Sequence, residues 1–579
     1  MPTRNYGVLI WAAVLWILIQ LPYLTGPFRI DDPYHLEAAK QMRRAPGDPY
    51  GFQINWDGTP KPAFETYASP PLVPGWLALW SSVFPQGEVS LHFAMLPFSL
   101  VAMVAFGIFA RSFDLRPSIA MALLACSPAF FLTSQVLMPD MPMLCLFLLA
   151  VTGARLYQTD RCRPAAVAAF LAGFGCPLAK YNGAMLVPVL ICLALAGPCK
   201  GVGDNSPTHD RPPGLRSLWA RRGGCGGFTP GMIAILSAPI LALVSWGAFT
   251  WAKYGAVHFL SMSDFQRGQA HSLDPAMMTA GVLGALGLGV VPLGVLGFLI
   301  KLQNPSQWLR GLALCGGVAG AWLAVFKGYG LSSVLLFGFS VSVAGFILGL
   351  VVRYGWRNAR TSDWALMPLV VWILGGFAFQ YGLMFSAVRY VLFLAPPVIL
   401  LALRLSSWAP RPHRLTAILG ANLLVTAAIG AADARQASVY PAVVSQAILP
   451  LLKKTSGRFF FDGHWGFQYY ASQIGGTPFD ELRPPLFRAG DLVVVAQMAW
   501  PKLTHPPQAS GLDIETTTFT VPSSGSLRTL SCSAGANFYA SSISDCARPT
   551  WLPFGLSSDV EERFVFYSIT RPSAGKRSD

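Results

Sequence analysis

Apolar runs long enough to cross a bilayer recur from residue 7 to about residue 432, each closed by a short polar stretch. A helix needs roughly 20 such residues to span the hydrocarbon. On that rule the spans fall at about 7–24, 89–110, 118–135, 141–157, 165–179, 181–197, 231–252, 276–300, 311–326, 331–352, 364–386, 390–404 and 415–432, about thirteen in all. Charged residues make up only 12% of the chain, against about 25% in soluble domains. Residues 72–84 are apolar but short and follow Pro70-Pro71, so they are expected to lie at the membrane surface or to re-enter it. The first run has Arg4 ahead of it and no small-residue cleavage site after it, which reads as a retained signal-anchor helix.

The net charge of +15 follows topology. With the N-terminus inside, every loop that lands inside is basic. Arg111 and Arg116, then Arg155, Arg161 and Arg163, then Lys200, Arg211, Arg216, Arg221 and Arg222, and later Arg353, Arg357 and Arg360 all obey the positive-inside rule. No basic face of a soluble domain is present, so nucleic acid is excluded as a partner. Two regions outside are long. The chain therefore divides into a transmembrane domain, residues 1–432, with a first outer loop at 27–87, and a small extracytoplasmic α/β or α+β domain, residues 433–579, where strand-length apolar runs and Gly/Pro/Ser turns appear. Eight of the ten cysteines lie in or beside apolar runs; Cys532 and Cys546 fall in the polar tail, where a disulfide is left open.

Chemistry-bearing residues cluster at the outer ends of spans. Just beyond the first stands Asp31-Asp32-Pro33-Tyr34-His35-Leu36-Glu37. One acid there is explained by helix capping; two, with Glu37 following, are not. Asp140 is bracketed by Pro139 and, two residues on, Pro142 at another outer junction. Lys180, followed by Tyr181, separates two barely sufficient spans, and Arg389-Tyr390 opens a late one. Both cations break the positive-inside rule, either by snorkelling to headgroups or by holding a lipid-linked phosphate. His258, Arg267, His271 and Lys327 are expected in outer loops, and Asp462-Gly463-His464-Trp465-Gly466 as a turn opening a helix. No Walker loop, G-x-S-x-G elbow or H-E-x-x-H motif occurs.

In order and sidedness these residues resemble the polyprenyl-phosphate-dependent GT-C glycosyltransferases, in the branch holding the protein O-mannosyltransferases (glycosyltransferase family 39) and the lipid A aminoarabinose transferase. The likeness rests on Asp31-Asp32 with Glu37, Pro70-Pro71-Leu72, Pro139-Asp140-Met141-Pro142, Lys180 between short spans, and Arg389-Tyr390. The sequence departs from the branch in having Asp32 where Glu is frequent, and Ser69 where a Lys often precedes Pro-Pro, which leaves Lys61 as the substitute.

The resemblance implies a polytopic GT-C fold and an inverting transfer of a sugar from a polyprenyl-phosphate donor to an acceptor hydroxyl at the outer membrane face. The acceptor is a lipid, a polysaccharide or a protein. The reaction needs a base and positive charge over the departing phosphate. Asp31 is expected as base, Asp32 and Asp140 as further catalytic acids, and Glu37, Lys61, Lys180, Tyr181, Arg389 and Tyr390 as substrate-binding residues. No cofactor is expected, although two carboxylates suit a divalent cation. The compact loops point to a multi-pass protein of a bacterial inner membrane with its site facing the periplasm. A lipid-linked-sugar flippase or transporter is the alternative, disfavoured because the span interiors hold almost no charge. An O-antigen ligase or polymerase fits the early acidic loop poorly.

Overall fold

The computed structural model describes residues 6–572 apart from 198–227, 271–273, 291–306, 362–365, 384, 407–410, 456, 502, 504, 542–545 and 547. The basic residues Lys200, Arg211, Arg216, Arg221 and Arg222, together with His271 and positions 291–300, lie outside the described residues.

In hydrocarbon no water satisfies backbone N–H and C=O groups, so an apolar run closes its hydrogen bonds within a helix. Among the described residues, seven helices are long and apolar enough to cross a membrane: Glu88–Arg111, Asp140–Asp160, Pro230–Tyr254, Leu309–Phe326, Leu331–Trp356, Val388–Leu405 and Pro412–Thr455. Shorter apolar helices include Ile10–Tyr23, Arg163–Ala179, Tyr181–Ala196, Pro275–Val290 and Met367–Gln380. The chain is a polytopic α-helical membrane protein with a sheet-bearing C-terminal region.

Two details differ from the expectation, and a third, the short helix at 72–83, agrees with it. The run at 118–135 is two helices, Pro117–Ala125 and Pro128–Thr133. Pro128 cannot donate to a continuing helix and drives Ser127 to an extended ψ of 125°. Ser127 Oγ instead donates to the carbonyls of Gly289 and Val290, each at 3.1 Å. The Leu72–Val83 helix has 12 residues and rises about 18 Å, too short for a bilayer. It buries Val73 and Leu77 against the Asp32–Arg44 helix while Leu79 and Val83 stay exposed. The last helix continues past residue 432 to Thr455, so the division read from composition falls inside it.

Beyond that helix, five strands pair in the order Thr477–Pro478, Phe459–Asp462, Leu492–Ala496, Glu562–Thr570, Asp513–Val521. The first three run parallel and the last two pair antiparallel. Every residue of Leu492–Ala496 is buried, as a central strand requires. Phe461, Phe467 and Phe564 pack on Tyr440 and Val443 of the long helix, joining the sheet to the membrane part.

Polar contacts complete that joint. Arg29 bonds Asp433, whose carboxylate also accepts from Thr529 at 2.9 Å and Tyr539 at 2.8 Å, all buried. Cys532 and Cys546 are disulfide-bonded. The loop they close contains Phe538, whose carbonyl accepts from Val388 N at 3.1 Å, and Ser541, whose N–H donates to Ser386 O at 2.6 Å. The C-terminal region thus holds the backbone immediately before Arg389.

Candidate functional site

A cavity of about 390 Å³ opens where the first long loop meets the ends of several apolar helices. Asp31, Tyr34, His35, Asp140, Lys180, Tyr181, Asn182, Arg389 and Tyr390 line its polar side; Leu243, Phe259, Leu260, Met262, Phe379 and Leu383 line its apolar side. Six of the nine residues expected from the sequence therefore meet in one place: Asp31, Asp140, Lys180, Tyr181, Arg389 and Tyr390.

Both acids stand at helix N-termini, where the helix dipole favours negative charge. Asp31 is the N-cap of Asp32–Arg44 and Asp140 the first residue of Asp140–Asp160, yet the N-cap side chain makes no capping bond. Each acid instead holds a cation from elsewhere in the chain. Asp31 Oδ2 accepts from Arg389 Nη1, and Asp140 Oδ1 accepts from Lys180 Nζ at 2.5 Å. Lys180 is delivered by an extended residue between Arg163–Ala179 and the 3₁₀ turn Tyr181–Met185. Tyr390 bridges the pairs, its ring centroid 4.3 Å from Lys180 Nζ and 5.0 Å from the Arg389 guanidinium carbon.

The pairs are not saturated. Asp140 Oδ2 and Arg389 Nε are buried without a hydrogen-bond partner among the described residues. Side-chain exposure is 20% for Asp31 and Lys180, against 2% for Asp140 and 8% for Arg389. Burial, with Arg389 nearby, pulls the Lys180 ammonium below the ordinary lysine range, and Asp140 opposes that.

Three expected residues do not line the cavity. Asp32 is fully buried and accepts from the backbone N–H of Arg29 at 2.9 Å and of Leu137 at 2.7 Å, fastening the loop to the Asp140 junction. Burial pushes its carboxyl up to about 7. Glu37 faces a separate hollow with Lys40, its partner at 2.8 Å, because six helical residues turn it away from Asp31. Lys61 sits on the hairpin formed by Gln53–Asn55 and Pro60–Pro62, paired with Asp57 at 2.9 Å.

Conversely, His35 lines the cavity although no role was read for it. It follows Asp31 by four residues and so shares its helix face, a spacing that signals the pair. Its Nδ1 lies 2.7 Å from Tyr67 Oη, and burial lowers its pKa to about 4, keeping the ring neutral at pH 7. His258, expected in a loop, opens the His258–Ala270 helix, stacks on Tyr50 at 4.2 Å and lies 2.5 Å from Tyr181 Oη. It supports Tyr181 from behind. Among the described residues no three His, Cys, Asp or Glu side chains gather to hold a metal ion.

Residues 68–202 match the dolichyl-phosphate-mannose-protein mannosyltransferase family. This is the family of the branch that the ordered motifs resemble, and the matched segment holds Asp140 and Lys180. No curated protein matches the chain. Among solved structures, it is similar to the Archaeoglobus fulgidus oligosaccharyltransferase in the apo form, at 11% identity and a TM-score of 0.40 over 82% of this chain. It spans 64% of that protein, just under two thirds. It is also similar to ArnT from Cupriavidus metallidurans: the apo structure gives 14% identity, 85% of this chain, 93% of ArnT and a TM-score of 0.37. The structure of ArnT bound to undecaprenyl phosphate gives 13%, 85%, 94% and 0.32.

Proposed function

We propose that this chain is an inverting glycosyltransferase that moves a sugar from a polyprenyl-phosphate donor to an acceptor hydroxyl. One observation carries the reading: two acid–cation pairs, Asp31–Arg389 and Asp140–Lys180, share a cavity whose other wall is apolar. A lipid-linked phosphate sugar has the matching parts, a prenyl chain for the apolar wall and a phosphodiester for the cations.

In the transfer, the acceptor oxygen bonds to the anomeric carbon as the bond from that carbon to the phosphate oxygen breaks. The hydroxyl proton passes to Asp31, and polyprenyl phosphate leaves with the electron pair. The phosphate gains negative charge during this step, so Arg389 and Lys180 stabilise the transition state more than the bound donor. Arg389 offers its unpartnered Nε to the phosphate. As the phosphate takes a share of the guanidinium, Asp31 is loosened from its partner and becomes a better base. Asp140 orients the acceptor, and a single displacement inverts the anomeric centre. We place the reaction at the periplasmic face of a bacterial inner membrane, with a lipid, polysaccharide or protein as acceptor and the sheet-bearing region beyond Thr455 as an outer domain.

Binding of undecaprenyl phosphate to the detergent-purified protein tests the phosphate site. Arg389→Gln and Lys180→Met are each expected to weaken it about 10-fold or more, the loss of a charged hydrogen bond. Wild-type affinity in both variants contradicts the assignment. Lipid movement across vesicles without sugar release supports the flippase reading instead.

A further inference from the structure

Asn182 has no part in the transfer just described, yet it is built into the same wall. Its side chain lines the cavity, only 6% of the residue is exposed, and Oδ1 is buried without a hydrogen-bond partner among the described residues. A buried amide oxygen without a donor is an unmet demand that native structures rarely leave standing. The turn that carries it is fixed. Gly183 N donates to Lys180 O at 2.8 Å, and a Cβ on Gly183 would stand 2.6 Å from the Cys176 carbonyl oxygen. Lys180, the extended residue that caps the 3₁₀ turn, and Asn182 within it therefore reach the cavity from one fixed segment, the first beside the phosphate site and the second two residues further along it. Close to that turn, Asp140 Oδ2 is a second acceptor without a donor.

We propose that Asn182 reads the transferred sugar. Its Oδ1 accepts from one hydroxyl, and its Nδ2 donates to the neighbouring oxygen. The substrate class is then a donor whose sugar presents an unsubstituted vicinal diol, or the corresponding amino alcohol, to this turn. A peracylated or deoxygenated face leaves the amide unmet and is rejected. This inference rests on the transferase reading above.

The test pairs the wild type and Asn182→Ala with undecaprenyl-phosphate mannose and its monodeoxy analogues, measuring kcat/KM for each and binding of undecaprenyl phosphate alone. In the wild type, removing one particular hydroxyl is expected to cost at least about 10-fold. In Asn182→Ala the same analogue and the parent donor are expected to agree within about twofold, since the partner is gone on both sides of the cycle. Binding of sugar-free undecaprenyl phosphate is expected to stay at the wild-type level. A variant that lowers every donor by one common factor, or lowers none, overturns the inference and leaves the transferase reading standing. A wild type that neither binds undecaprenyl phosphate nor turns over the mannosyl donor overturns both.

Discussion

Two buried arginine–aspartate pairs tie distant parts of this chain together, Asp31 with Arg389 across 358 positions and Arg29 with Asp433 across 404. They contain the same groups in different surroundings. Asp433 is enclosed: both of its oxygens are taken by Arg29, Thr529 and Tyr539, and 4% of its side chain is exposed. Asp31 is 20% exposed and, with Arg389, lines a cavity that Arg29 and Asp433 do not reach. A closed pair of this kind serves to dock elements, whereas an open pair keeps capacity for a third party. Charge and unfilled donors on the arginine do not separate the two, since Arg29 Nε and Nη2 also lack partners among the described residues; the carboxylate's exposure on a cavity does.

The largest expected effect on stability lies at the closed pair. Asp433→Asn leaves the Arg29 guanidinium buried without its counter-charge, an error of about 3–5 kcal/mol. Thermal unfolding in detergent is expected to show a clear fall in Tm for Asp433→Asn and a smaller one for Asp31→Asn, where solvent reaches the pair. Equal falls would erase the distinction.

A smaller effect is expected from the disulfide that supports the open pair from behind. Replacing Cys532 and Cys546 together by Ser frees the loop whose Phe538 and Ser541 hold the backbone at Ser386 and Val388. A slight displacement of Arg389 is expected to lower turnover about 10-fold while the protein stays folded, because small misplacements of reacting groups are costly. Turnover unchanged after substitution would show that Arg389 is positioned without this support.

The smallest effect is the share of the pH dependence that His35 of the open site contributes. His35, facing Asp31, Asp140, Arg389 and Lys180, has its pKa lowered by burial to about 4, below the ordinary histidine value of 6.5. Its neutral form is favoured in the folded protein, so its contribution to stability is full above pH 6.5 and is lost as pH falls towards 4. His35→Gln is expected to remove only part of the slope of Tm against pH over that window, because His258 and His464, also lowered by burial, keep titrating with the same sign, while Asp32, raised by burial, titrates with the opposite sign. An unchanged slope would mean that His35 is not held neutral.

Much of this was legible in the sequence because apolar runs and boundary charges are local signals. Asp31, Asp140, Lys180 and Arg389 could be picked out since each sits at the end of an apolar run where a charge needs a reason. What escaped was partnership. Asp32 adjoins Asp31, yet the first turn of the helix sends it inward to two backbone N–H groups, which composition cannot show. Lys61 seemed a substitute for a cation near Pro70, but a two-strand hairpin pairs it with Asp57 instead. The helix to Thr455 looked as if it ended at residue 432 because polar residues begin there. Asp433 and Gln436 stay helical because groups from outside the helix receive them: Arg29 of the first loop with Thr529 and Tyr539 for the first, the Glu561 carbonyl for the second. Asn182 gave no signal at all, since an asparagine in a turn is ordinary until its amide is seen unpaired.

The most direct test of the open pair is sugar release from radiolabelled undecaprenyl-phosphate mannose by the wild type and by Asp31→Asn, with donor binding measured in parallel. The wild type is expected to turn over, and Asp31→Asn to bind the donor but to react about 10²–10⁴-fold more slowly, the usual contribution of a general base. Turnover at the wild-type rate by Asp31→Asn would contradict the assignment of the base.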